Sequence, residues 1–223
     1  MKDLIIVIEG PRLAGKSKIF DHLKQLNNGP VPVFDHLIKD QSFSYIKEFS
    51  FISGLRSTVP IRSRLESYII LESYIIGKDV SLIQRLAETP GTVLVDRFLI
   101  TSAVYSHVFR DYDVKMGHDY LNEVDNLLIK NYADLMERLK FFVIIPNVEL
   151  ALSEGLKGRE GKDDLEDNED LLNLQIELYE SHSKFLKKLG YDITVVDSYH
   201  TNPTVRHQIG KTVAENIRGV EIQ

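Results

Sequence analysis

The chain has 223 residues, 43% of them hydrophobic and 27% charged, with a formal charge of −6 and a pI near 5.7. That size suits one open α/β domain with insertions, the composition is that of a soluble globular protein, and the acidity argues against a general binder of nucleic acid. Cysteine is absent, which excludes disulfides, a thiolate zinc site and a thiol nucleophile, and fits a reducing compartment.

No apolar run approaches membrane length, and the N-terminus enters a strand pattern without a signal-like charged region. The expectation is a cytoplasmic protein with no membrane partner and no nucleic-acid polymer as partner.

In chain order, the first strand is read from Leu4 to Ile8, where four of five residues are β-branched, with Glu9 ending the apolar run. Gly10-Pro-Arg-Leu-Ala-Gly15-Lys16-Ser17 follows and satisfies the phosphate-loop pattern G-x-x-x-x-G-K-[ST]. Gly10 and Gly15 permit backbone angles and close approaches that let the N–H groups of the loop, Arg12, Leu13 and Ala14 included, converge on phosphate oxygens. Lys16 would reach the β- and γ-phosphates, and Ser17 would offer its hydroxyl to Mg²⁺. A helix follows through Ile19, Phe20, Leu23 and Leu26, and closes at Asn27-Asn28-Gly29-Pro30. Strand, loop and helix thus stand in the order that ATP binding requires.

Val31–Phe34 reads as a short second strand, restricted by Pro30 and Pro32 toward an edge, and it delivers Asp35 and His36 to the ligand end of the sheet. From Asp40 to Ser57 the aromatics Phe43, Tyr45, Phe49 and Phe51 fit packing over the sheet, with a nucleobase cradle as the alternative. A long helical stretch is expected from Ile61 to Ala87. It contains LESYII twice in succession, and a six-residue period is too poor a helical repeat to indicate a solenoid. Arg56, Arg62 and Arg64 lie at its start, where they would either hold an acceptor phosphate or remain solvated surface arginines.

Pro90-Gly91 breaks the chain before Thr92–Arg97, a buried-strand pattern that ends in Asp96 and Arg97. Asp96 would orient the water shell of Mg²⁺, and Arg97 would bind phosphate with a bidentate fork. Helices are expected from about Thr101 to Phe109 and from about Tyr120 to Met136, then a strand from Leu139 to Ile145 stopped by Pro146, then a helix capped by Asn147 and running through Leu152. Gly155 to Asp164 interleaves three glycines with Lys157, Arg159 and Lys162, a pattern shared by a mobile cationic flap over about 153–166 and by a plain exposed loop. A long helix is expected from Glu166 to Lys188, ending near Gly190, then a strand from Tyr191 to Val196 and a last helix from about Pro203 to Ile217. The tally is one domain over residues 1–223, with five parallel strands and helices on both faces, a three-layer α/β architecture.

These blocks resemble the thymidylate kinases, within the nucleoside-monophosphate kinase group of P-loop proteins. The resemblance is carried by Ile8-Glu9-Gly10 with Ala14-Gly15-Lys16-Ser17, by Asp96-Arg97-Phe98 with Thr101-Ser102 and Tyr105, by the Arg159-to-Glu166 segment leading into a long helix, and by the late strand with Asp197. It implies the P-loop NTPase fold, ATP and Mg²⁺ as cofactors, and phosphorylation of a small-molecule acceptor, dTMP to dTDP above others. Lys16 and Ser17 then take the nucleotide and metal roles, Asp96 helps place the metal, Arg97 contacts transferring or acceptor phosphate, and Arg159 becomes the lid arginine. Asp35, Arg64 and Tyr105 are the further candidates on the acceptor side. A homodimer is also common in that family, and the apolar stretch Ile69–Ile76 would suit either such a contact or core burial.

The departures fall on the acceptor side and inside the loop. Arg12 stands where the family often has a carboxylate, Phe34-Asp35-His36 stands where it has Arg-Glu-Pro, Ser106 replaces a glutamine, and the arginine of the middle helix falls near Tyr74 or Ile75. A deoxynucleoside kinase therefore remains the alternative, with Asp35 as the base for a 5′-hydroxyl. A kinase homologue that binds nucleotide with little catalysis is a third reading. A GTPase is argued down by the lack of both N-K-x-D and a D-x-x-G after the loop.

Overall fold

A computed structural model describes residues 4–11, 13–16, 19, 33–35, 77, 79–91, 93–110, 113–155 and 169–198. Arg12, Ser17, Arg64, Arg159, the apolar stretch Ile69–Ile76, the proposed lid over about 153–166 beyond Gly155, and the last helix lie outside the described residues.

Strand β1 is Ile5–Glu9, and all five of its side chains are buried, as expected of a strand covered on both faces. Around it, β2 (Val33–Asp35), β3 (Val93–Asp96), β4 (Leu139–Pro146) and β5 (Asp192–Ser198) complete a five-stranded sheet in the order β2-β3-β1-β4-β5. Every pairing is parallel, with Ile8 opposite Asp96, Asp35 opposite Asp96, and Glu9 opposite Val143. The carboxyl ends of β1, β2 and β3 therefore meet at one edge. The chain returns from β3 on one side of β1 to β4 on the other, which makes this edge a topological switch point, the place where open α/β sheets bind ligands.

Alternation along the strands divides the core in two. Ile5, Val7, Val93, Val95, Phe141, Val143 and Ile145 face helices α1 (residues 79–88), α2 (Leu99–Arg110), α3 (Val114–Asn131) and α6 (Glu169–Lys188). Leu4, Ile6, Ile8, Leu94, Phe142 and Ile144 face the other way and meet Ala14 of the phosphate loop and Ile19 just beyond it. Among the described residues the sheet is thus flanked by helices on its first face. Among the described residues no helix is long and apolar enough to cross a membrane.

The expected helix from Tyr120 to Met136 is two helices in the structure, α3 and the short α4 (Ala133–Arg138). Asp113 starts α3 earlier than expected, because its carboxylate caps the Met116 amide at 2.7 Å. Gly117 in the first turn weakened the sequence pattern there, and its reason is tertiary, since a Cβ at that position would lie 2.6 Å from the His182 ring. Tyr132 then leaves helical geometry (φ −144°, ψ 44°) and separates the two helices. The helix after Asn147, α5 (Val148–Gly155), runs slightly longer than expected. Strand β5 starts one residue later than expected, because Tyr191 turns inward and donates its hydroxyl to Asp125 at 2.9 Å.

Candidate active site

At the end of β1 the chain turns through Gly10 with φ +140°, and a Cβ there would stand 2.4 Å from the Ile144 carbonyl oxygen. Only glycine fits that close approach of two backbones. Gly15 (φ +75°) and Leu13 (φ +65°) also take left-handed backbone, and the Ala14 amide donates to the Pro11 carbonyl at 3.3 Å, so the loop turns tightly at the end of β1. Leu13 does this without being a glycine, a local strain of the kind found at ligand-binding loops.

Lys16 is buried and folds back over the loop, donating to the Gly10 carbonyl at 2.8 Å and the Pro11 carbonyl at 2.7 Å. Burial holds its ammonium well below the usual lysine range, the neighbouring Arg97 lowers it further, and Asp96 and Glu9 only partly compensate.

The end of β3 supplies the second cation. Arg97 has left-handed backbone (φ +67°), and its amide still bonds the Ile8 carbonyl at 3.0 Å. This twist carries the side chain back across β1, where Nη1 donates to the Gly10 carbonyl at 3.3 Å, to the Tyr105 hydroxyl at 3.3 Å and to the Tyr179 hydroxyl at 3.4 Å. The guanidinium also lies 5.6 Å from the centre of the Tyr105 ring. Burial alone would lower its affinity for its proton, but the Tyr105 and Tyr179 oxygens with Asp96 and Glu9 outweigh this and raise it, so Arg97 stays cationic.

Glu9 is the site residue to which the sequence reading gave no role. Its carboxylate is fully buried and accepts from the Phe98 amide at 2.8 Å, the Ile100 amide at 3.2 Å and the Thr101 hydroxyl. It therefore caps the start of α2 from a neighbouring strand and places a negative charge at the helix's positive end. The available signal was a charged residue closing a strand that is otherwise wholly apolar. Thr101 and Tyr179 were likewise given no role, and the Thr101 oxygen lies 2.8 Å from the Tyr179 hydroxyl.

Of the residues singled out from sequence, the structure brings together Gly10, Leu13, Ala14, Gly15, Lys16, Asp96, Arg97 and Tyr105. Tyr105 meets Arg97 directly. Asp35 reaches the same edge by its backbone, opposite Asp96. Ser106, where the family's pattern has a glutamine, turns its hydroxyl back to the Ser102 carbonyl at 2.7 Å. The glycine cradle and two cations fit the phosphates of a nucleotide. Among the described residues there is no group of three or more His, Cys, Asp or Glu able to hold a metal.

No family model matches the chain, and no curated protein sequence matches it. Solved structures do resemble it in fold. The deoxyadenosine kinase from M. mycoides with bound dATP aligns with a TM-score of 0.63 at 16% identity, covering 95% of this chain and 100% of that one. The thymidylate kinase from Candida albicans aligns with a TM-score of 0.62 at 15% identity, covering 99% and 93%. The YorR protein of Bacillus subtilis, in complex with phosphorylated GDP, aligns with a TM-score of 0.53 at 15% identity, covering 98% of each chain. The chain therefore has the α/β fold of the P-loop kinases over nearly its whole length.

Proposed function

We propose that this protein is a phosphotransferase that moves the γ-phosphoryl group of ATP to a nucleoside monophosphate, with dTMP the acceptor favoured by the motif resemblance. The observation that carries this reading is the pair of cations at one carbonyl: Lys16 at 2.8 Å and Arg97 at 3.3 Å both donate to the Gly10 oxygen. Two positive charges held so close, with the proton affinity of Lys16 depressed by burial and by Arg97, make a site that gains from an incoming anion.

The chemistry asked of such a site is mostly positioning and neutralisation of charge. The loop amides around Gly10–Gly15 cradle the donor phosphates. Lys16 exchanges its carbonyl partners for phosphate oxygens. Arg97 lies within reach of the phosphate passing between donor and acceptor, and a monophosphate acceptor, already anionic, uses it without a general base. Ser17 and the water shell around Asp96 would hold Mg²⁺, which supplies further neutralisation on the donor phosphates. Arg12, Arg64 and Arg159 complete the proposal as acceptor-side and lid cations.

A second reading, a deoxynucleoside kinase, is favoured by the register of Asp35 opposite Asp96 at the carboxyl edge of the sheet. There Asp35 would take the proton of a 5′-hydroxyl. The discriminating experiment supplies purified protein with Mg²⁺-ATP and a panel of monophosphates and nucleosides. We expect dTDP from dTMP, and only a mild effect of Asp35→Asn. Product solely from nucleosides, abolished by Asp35→Asn, would replace this reading with the second one. ATP turnover indifferent to every acceptor would favour a homologue with little kinase activity.

A further inference from the structure

We propose that Tyr179 is a positioning residue for Arg97, the middle link of a directed hydrogen-bond chain from the Arg97 guanidinium through Tyr179 and Thr101 to the Glu9 carboxylate. This rests on the phosphotransferase reading above and extends it to α6, a helix to which the sequence reading gave no part in the site.

The direction of the chain follows from counting donors. Glu9 receives two backbone N–H groups and the Thr101 hydroxyl, a set of donors that fits an ionised carboxylate, which can only accept. The Thr101 proton is thus committed to Glu9. At 2.8 Å from it, Tyr179 must be the donor and Thr101 the acceptor. With its proton committed to Thr101, the Tyr179 oxygen presents its lone pairs to Arg97 Nη1 at 3.4 Å. Burial pushes the phenol well above its usual range, so it remains a hydroxyl able to hold this arrangement. Each link polarises the next, and a buried positive charge is joined to a buried negative one through two hydroxyls.

Within the described residues the side-chain hydrogen bonds of Arg97 all use Nη1, two of them to the Tyr105 and Tyr179 hydroxyls. The rest of the fork is aimed by that anchoring. The Tyr179 ring is itself fully buried, so its hydroxyl is fixed by α6 packing on α2. A guanidinium that must meet a phosphate in one orientation gains from such a fixed stop. A tyrosine at this place in the helix otherwise reads as an ordinary core residue.

The test uses full-length protein, Mg²⁺-ATP and whichever acceptor of the panel is turned over fastest. Tyr179→Phe keeps the ring and removes one hydroxyl. We expect kcat to fall about tenfold, the loss of one hydrogen bond to a charged group, with the KM for ATP unchanged. Thr101→Val should give a similar kcat loss, and Thr101→Ser, which keeps the hydroxyl, should restore it. Adding Tyr179→Phe to Arg97→Lys should cost nothing further, because the two act through one contact. A crystal structure of Tyr179→Phe should show the guanidinium displaced from Tyr105 and Gly10 with α6 in place. Wild-type kcat in Tyr179→Phe beside a crippled Arg97→Lys, or an unmoved guanidinium, overturns the proposal alone. Wild-type kcat in Arg97→Lys overturns the phosphate role of Arg97 and the proposal with it.

Discussion

Two polar clusters share helices α2 and α6, the second of them reaching α3 as well, and they are built in opposite ways. At the sheet edge, Glu9, Thr101, Tyr179 and Arg97 form a continuous series of donors and acceptors that ends in opposite charges. Farther along α6, the His182 ring meets His118 of α3 edge-to-face with centroids 5.2 Å apart, and His118 stacks on Phe185 at 4.2 Å. There neither ring nitrogen of His182, nor Nε2 of His118, nor Nδ1 of His107 has a hydrogen-bond partner among the described residues. The first cluster is suited to holding charge and the second only to excluding it. The lesson is that function and acid sensitivity are separable here, although α2 and α6 contribute to both.

If that division is right, Lys16→Ala should cause the largest change of all. A hundredfold to thousandfold loss of turnover is expected, on the order of what removing one preorganised phosphate-binding charge costs, with the unfolding midpoint held or raised. Normal turnover in the Lys16→Ala variant would break the comparison at its functional end.

Acid should act on the other cluster. Burial, then the neighbouring His118 and His107, hold His182 down to about 3, against an ordinary value of 6.5, and His118 is lowered in the same direction by burial and by Lys188, with Asp119 opposing. The folded protein therefore binds fewer protons than the unfolded chain between those values. Its stability is complete above pH 6.5 and is lost as pH falls toward 3, at up to about 1.4 kcal/mol per unit, several kcal/mol in all. Urea unfolding at pH 7 and pH 5 measures this, and His182→Leu should flatten the difference. An undiminished pH slope in that variant would show that the acid response originates elsewhere.

Glu9→Gln comes next. The amide cannot accept as the carboxylate does from three donors, and it removes the counter-charge of Arg97, so a loss of about 3 kcal/mol is expected in denaturant unfolding. Smaller again is Gly117→Ala, whose Cβ would stand 2.6 Å from the buried His182 ring. Overpacking there should outweigh the gain in helix propensity and cost about 1–2 kcal/mol, with kcat unchanged. A kcat loss in that variant would mean that the histidine layer is coupled to the site after all.

The loop, the β3 end and the parallel strands that carry them were legible in sequence because each signal is local: glycines at fixed spacing, an apolar run, an Asp-Arg pair after a buried strand. Glu9 was visible only as an oddity, since its partners Phe98, Ile100 and Thr101 come from far along the chain and are chosen by parallel pairing of β1 with β3. Tyr179 was hidden for a different reason. Its ring satisfies the apolar pattern of α6, and nothing in that pattern reveals where a hydroxyl points. Arg97 sits between these cases, because its identity was readable but the left-handed turn that swings it over Gly10 was not.

The central claim is that Lys16 holds the donor phosphates while Arg97, beside it, meets an acceptor that already carries a phosphate. The most direct measurement is the ratio of kcat/KM for dTMP to that for thymidine, with Mg²⁺-ATP as donor, in wild-type protein and in Arg97→Lys. We predict that dTMP is favoured about a hundredfold or more, the worth of charge-assisted contacts to one phosphate, and that Arg97→Lys removes most of that preference. A ratio in favour of thymidine, unaffected by Arg97→Lys, would contradict the account.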